Sequence, residues 1–114
     1  MDGNQPFEIG VVRRERDLVV SPSGDIDMAT APEVRRVVDA RDPGVTRVVL
    51  DLRGVTFMDT SGLLLLIELN RGMQEAGVAF AAVPGPRSVQ RLLDMAGLTG
   101  RLHIVESVDG AADG

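Results

Sequence analysis

Asp59, Thr60 and Ser61 stand side by side between Phe57-Met58 and Gly62-Leu63-Leu64-Leu65-Leu66-Ile67. Hydroxyls next to a carboxylate suggest either nucleophilic catalysis or acceptance of a phosphoryl group. Upstream, Val48-Val49-Leu50-Asp51-Leu52 is a β-branched run suited to the interior of a sheet, and downstream the apolar residues take a helical period. Ser61 is therefore expected in the first turn of a helix, where unpaired N–H groups and the positive end of the helix dipole favour an anion. A phosphate there would change the surface by roughly −1.5 to −2 charges at neutral pH. That is the outline of a switch.

Catalysis fits the same residues less well. Asp-Thr-Ser-Gly differs from the aspartic-protease box Asp-[Thr/Ser]-Gly by an extra serine, and those enzymes need two aspartates that share a proton. Ser61 lacks a G-x-S-x-G elbow, and the only histidine available as a base is His103. No P-loop supports ATP hydrolysis. The absence of cysteine excludes disulfides, thiol catalysis and thiolate zinc sites, and a single histidine excludes a multi-histidine metal site. The chain reads as a substrate of catalysis rather than an enzyme, with no metal and no cofactor.

The bulk properties narrow the partners. A formal charge of −5, with no basic run to offset it, argues against nucleic acid. Met1 to Pro6 is polar and lacks the apolar core of a signal peptide, and no apolar stretch approaches the roughly 20 residues of a membrane helix. A cytoplasmic location and no membrane insertion are the expectation. All 12 basic residues are arginine. The 114 residues suffice for one domain, 1–114, with a core over about 7–108 and a frayed tail at 110–114.

Several elements must position the box. Phe7 to Val12 reads as a strand, Glu15-Arg16-Asp17 as a turn, and Leu18-Val19-Val20 as a second strand running towards Gly24. Thr30-Ala31-Pro32-Glu33 has the form of a capping box opening a helix with Val34, Val37 and Val38 inward, which ends before Pro43-Gly44. Val48 to Leu52 is the central strand, and Ser61 to Ala76 the second helix, stopped by Gly77. Val78 to Val83 is strand-like. Gly85-Pro86 opens a third helix through Met95, with Gly97 closing it, and Leu102 to Val105 is a short last strand. An initial hairpin followed by alternating strands and helices argues for an α/β fold with a mixed sheet.

On a helical wheel Leu65, Leu66, Leu69, Met73 and Ala76 form the arc that should face the sheet, with Glu68, Arg71 and Glu75 opposite. Leu64 falls among the charges, with Leu63 and Ile67 at their edge. An apolar cluster rimmed by charge and within a turn or so of Ser61 points to a protein interface. Other residues have plainer readings. Thr60 and Ser61 could serve as helix caps, as could Asp59. Gly62 would allow close approach of backbones, His103 would be structural, and Arg87 and Ser88 would belong to a helix start.

Four blocks in order complete the pattern: Gly24-Asp25-Ile26-Asp27, Asp59-Thr60-Ser61-Gly62-Leu63, Pro86-Arg87-Ser88-Val89 and Leu92-Leu93-Asp94-Met95-Ala96-Gly97-Leu98. Over about Phe7 to Val108 this resembles the STAS domain, and among its members the small, single-domain anti-sigma factor antagonists. The resemblance implies the STAS fold, a mixed, mainly parallel sheet with helices packed mostly on one face. It implies that Ser61 is the phosphorylation site, with Thr60 the second choice, and that the partner is an anti-sigma factor with serine kinase activity. Unmodified antagonist would bind that partner and release the sigma factor; phosphorylation would end binding, and a serine phosphatase acting on phospho-Ser61 would restore it. The family commonly has glutamate at Asp25 and serine at Thr60. The partner surface implied by box, loop and wheel together is Asp25, Asp27, Asp59, Thr60, Ser61, Gly62, Leu63, Leu64, Ile67 and Glu68, on a monomer or weak dimer. The alternative is a STAS scaffold subunit of a stress-sensing complex or an accessory subunit of a transport system.

Overall fold

The computed structural model describes residues 6–108. The order of elements is β1 (Glu8–Arg14), β2 (Asp17–Ile26), α1 (Ala31–Asp39), β3 (Arg47–Asp51), β4 (Gly54–Met58), α2 (Thr60–Ala76), β5 (Ala79–Val83) and α3 (Arg87–Met95). The expected α/β architecture is present. β1 and β2 form an antiparallel hairpin, while β2–β3, β2–β4 and β3–β5 are parallel. Alternation along the strands separates two faces. Leu18, Val20, Val48, Leu50 and Phe80 meet residues from all three helices, whereas Val19, Val49, Ala81 and Val83 pack on the other face with Val105 and Val108. The helices thus share one face.

The expectation of one central strand leading straight to the Asp59 box needs correction. β3 pairs with Asp17 to Val20 of β2, and a separate strand, β4, takes over the same flank of β2 from Ser23 to Ile26. The chain kinks between them. At the kink Asp51 accepts hydrogen bonds from the backbone N–H, Nε and Nη2 of Arg53 at 3.1, 2.9 and 2.8 Å, and the Leu52 N–H donates to the Val83 carbonyl. This near-complete pairing explains how the carboxylate of Asp51 can be buried, and it holds that carboxyl below the usual carboxylate range. Pro22, with no N–H to donate, falls in the stretch of β2 between the two registers. Gly24, at φ 100°, then shifts the β2–β4 register and turns Asp25 outward.

Three smaller expectations also change. The Thr30–Glu33 capping box does not form, because Thr30 is itself helical and its hydroxyl is engaged upstream. Leu102 to Val105 is not a full strand: it makes a single bridge, Ala82 with Ile104. Ala76 is exposed, as are its neighbours over 74–77, so the last turn of α2 has left the sheet. The anticipated tail at 110–114 lies outside the described residues.

Two glycines should respond oppositely to alanine. A Cβ on Gly85 would sit 2.1 Å from the Leu52 carbonyl oxygen, at the kink, while a Cβ on Gly72, inside α2, meets nothing within 4 Å. Urea unfolding should show Gly85→Ala losing more than about 2 kcal/mol and Gly72→Ala gaining about 0.5–1 kcal/mol.

Candidate functional site

The first turn of α2 begins where β4 ends. Asp59 is its N-cap: in extended conformation, its Oδ1 accepts from the Ser61 N–H at 2.8 Å and its carbonyl accepts from Gly62 and Leu63. Its own N–H donates to the Ile26 carbonyl, tying the helix start to the end of β2. The capping role considered for Thr60 and Ser61 is therefore filled by Asp59. Among the described residues no hydrogen bond occupies the Ser61 hydroxyl, and the side chain is half-buried.

Gly62 sets how deep that turn sits. An added Cβ would lie 2.3 Å from Met58 Cγ and 3.2 Å from Ile26 Cγ2. The close approach expected of this glycine is thus made to side chains. With the turn sunk this far, Leu63 packs against the core, which corrects its assignment to an exposed cluster. Leu65, Leu66, Leu69 and Met73 face inward as the wheel indicates. Leu64 points out, 57% exposed.

A cleft of about 350 Å³ runs between α1 and α2, lined by Met28, Pro32, Arg35, Ser61, Leu64 and Glu68, with Ala31 and Leu65 at its floor. Of the ten residues expected at a partner surface, Ser61, Leu64 and Glu68 meet here. Ile67 instead lines a different groove, with Asn70, Arg71, Leu98 and Leu102. Thr60 is exposed at the start of α2, and Gly62 is buried beneath it.

Asp25 and Asp27 hold the neighbouring loop. Asp25 is exposed, accepts from the Thr56 hydroxyl at 2.7 Å, and through its carbonyl accepts from the Thr30 hydroxyl at 2.8 Å. The carboxylate of Asp27 accepts from the N–H groups of Ala29 and Thr30 at 2.9 and 3.1 Å, and its N–H donates to Thr30 Oγ1. Those bonds, led by the one from Thr30, favour the ionised form and hold the Asp27 carboxyl below its ordinary value. This clasp presents Met28, 81% exposed, at the mouth of the cleft.

Sequence reasoning missed Met28 and Arg35. A long apolar residue inside a polar turn was the available signal for Met28. Arg35 is recognisable only in three dimensions: its Nη1 pairs with Glu68 across the cleft and its Nε lies 3.6 Å from Asp39. Phe57, 53% exposed, adds an apolar side chain on the strand leading into the box. Among the described residues no helix is long and apolar enough to cross a membrane.

The STAS domain model matches residues 8–111. An anti-sigma F factor antagonist of Paenibacillus polymyxa is 34% identical over 83 residues, 71% of each chain. The crystal structure of an anti-sigma factor antagonist from Mycobacterium paratuberculosis superposes with a TM-score of 0.77 at 26% identity, covering 95% of this chain and 92% of that one. The phosphorylated form of the Bacillus cell fate determinant SpoIIAA has the same fold, with a TM-score of 0.69 at 16% identity over 95% of this chain and 97% of that one.

Asp27 makes the clasp sensitive to acid. Its folded pKa lies below its unfolded one, so its contribution is present above the unfolded value, near pH 4, and is lost as pH falls through the folded value. Asp27→Asn should therefore melt below the wild type at pH 7, and the difference should shrink as pH falls below about 4, as thermal unfolding across pH would show.

Proposed function

This chain belongs to the STAS domain family, and on that premise we propose that it is an anti-sigma factor antagonist switched by phosphorylation at Ser61. The unmodified form binds an anti-sigma factor through the α1–α2 cleft and its rim, which releases the sigma factor. The anti-sigma factor acts as the serine kinase that closes the cycle, and a serine phosphatase acting on phospho-Ser61 reopens it. Relatives named as anti-sigma factor antagonists support this reading, as does the existence of a phosphorylated form of SpoIIAA.

The observation that carries the proposal is the state of Ser61. Its hydroxyl has no capping duty, because Asp59 caps the helix, and it lines a cleft shared with exposed Leu64 and Met28. An interface built on those side chains gains its energy by drying apolar surface. A phosphate on Ser61 would bring a hydrated dianion to the same cleft, beside Asp59 and near Glu68. Desolvating it costs binding energy, and a loss of ~4 kcal/mol weakens binding about a thousandfold. No refolding is required. Thr60, exposed but outside the cleft, is the less suitable acceptor. Asp25 and Asp27 support the surface by fixing the loop that carries Met28.

Two experiments check this. Intact-mass analysis after incubation with candidate anti-sigma kinases and Mg-ATP should show one added phosphoryl group, absent from Ser61→Ala. In binding assays Ser61→Ala should bind the partner constitutively and Ser61→Asp poorly; equal affinity of the two would remove the switch. Leu64→Glu should weaken binding by at least tenfold, about 1.4 kcal/mol, and leave the melting temperature nearly unchanged. A large loss of stability would instead make Leu64 a structural residue.

A further inference from the structure

Among the described residues Arg35 is the only cation that lines the α1–α2 cleft, and Ser61 lines the same cleft. Its guanidinium is shared between two carboxylates: Nη1 pairs with Glu68 of α2, and Nε lies 3.6 Å from Asp39, one turn further along α1. The side chains of all three residues are about half exposed. Ion pairs this exposed are weak and screened by salt, so a stronger anion within reach displaces them.

The direction of the helices brings Ser61 within that reach. α1 returns from β2 to its parallel neighbour β3, and α2 returns from β4 to β5 in the same parallel set, so the two helices run the same way. Ala31 and Ser61 stand at the two helix starts, and Arg35 and Leu65 each follow one turn later. Arg35 is thus rooted between Ser61 and Glu68, which are about 10 Å apart along α2. Helical side chains slant towards the N-terminus. The side of Ser61 is therefore the favoured one for the long Arg35 stem, and Glu68 and Asp39 draw it the other way.

A phosphate on Ser61 changes the competition. It carries about −1.5 to −2 charges and three acceptor oxygens, against the single charge of Glu68, and the guanidinium fork matches two of those oxygens at once. Resting on the phosphorylation of Ser61 put forward above, we propose that Arg35 is the residue that takes up the phosphate, and that it leaves Glu68 to do so. The exchange moves one side chain and no backbone. It draws a hydrated ion pair to the mouth of the cleft, between Met28 and Leu64, and leaves Glu68 without its counter-charge. The apolar rim is then covered from within the chain as well as made repulsive. Asp25, Asp27 and Asp59, the other charged groups around the helix starts, accept hydrogen bonds from their own neighbours and offer the phosphate no cation.

The test is a phosphorus NMR titration at low salt of the full chain with encoded phosphoserine at position 61, alongside Arg35→Gln, Arg35→Lys, Glu68→Gln and the combined Arg35→Gln, Glu68→Gln variant. The readout is the second ionisation of the phosphate, which lies near pH 6 when nothing perturbs it. A facing cation favours the dianion, so Arg35→Gln should raise that pKa by about half a unit or more and Arg35→Lys by less. Glu68→Gln should lower it by releasing Arg35, and most of that lowering should vanish when position 35 is glutamine. A phosphate that titrates alike with arginine or glutamine at position 35 overturns the proposal. So does a Glu68→Gln shift of equal size with and without Arg35, since Glu68 would then act by its own charge alone. Both side chains are exposed, and thermal melts of the variants verify that they fold. Encoded phosphoserine requires no kinase, so this result and the phosphorylation assay above can each fail while the other holds.

Discussion

Gly62 has no side chain, and the position of the whole cleft follows from that. Because nothing stands between the helix and Met58, the first turn of α2 sinks onto the ends of β2 and β4, where a Cβ would lie 2.3 Å from Met58 Cγ. The depth of that seat decides which leucines are used up by the core. Leu63 and Leu65 go inward and Leu64 is left at the surface. It also leaves Asp59 in extended conformation, so that its carboxylate caps the helix and, among the described residues, nothing hydrogen-bonds the Ser61 hydroxyl. Exposed leucine and unengaged serine are two results of one packing constraint.

The seat is in turn placed by the kink between β3 and β4. Asp51 and Arg53 close it with three hydrogen bonds, Gly85 passes against the Leu52 carbonyl, and Pro22 spans the gap on β2. The α1–α2 cleft is consequently mounted on a closely tied base. The clasp formed by Asp25, Asp27, Thr30 and Thr56 fixes the opposite wall and its Met28. On the function proposed here, a phosphate at Ser61 would act on such a surface through charge and hydration, with no need to move the backbone.

The fold class, the helical seating of Ser61 and the inward stripe of α2 were legible because each rests on local pattern: a β-branched run, a helical period, a terminal glycine. The errors arise where tertiary contacts override such patterns. β4 was invisible because Gly54, Thr56 and exposed Phe57 dilute its alternation. The capping box at Thr30 lost to Asp27, whose carboxylate takes the Thr30 N–H that Glu33 would have received. The wheel treats every turn alike, so it could not know that α2 is sunk at its start and free of the sheet at its end. That misassigned Leu63 and Ala76. Ile67 faces a different groove, whose other wall, Leu98 and Leu102, is distant in sequence. The Arg35–Glu68 pair joins residues 33 positions apart and leaves no local trace.

The central claim is that a phosphate on Ser61 abolishes a contact that the unmodified cleft makes. The most direct measurement is titration calorimetry of the full chain against its anti-sigma partner, with serine and with encoded phosphoserine at position 61. The account predicts a loss of at least about a hundredfold in affinity, near 2.7 kcal/mol, with the fold unchanged by circular dichroism. Equal affinities for the two forms would contradict it.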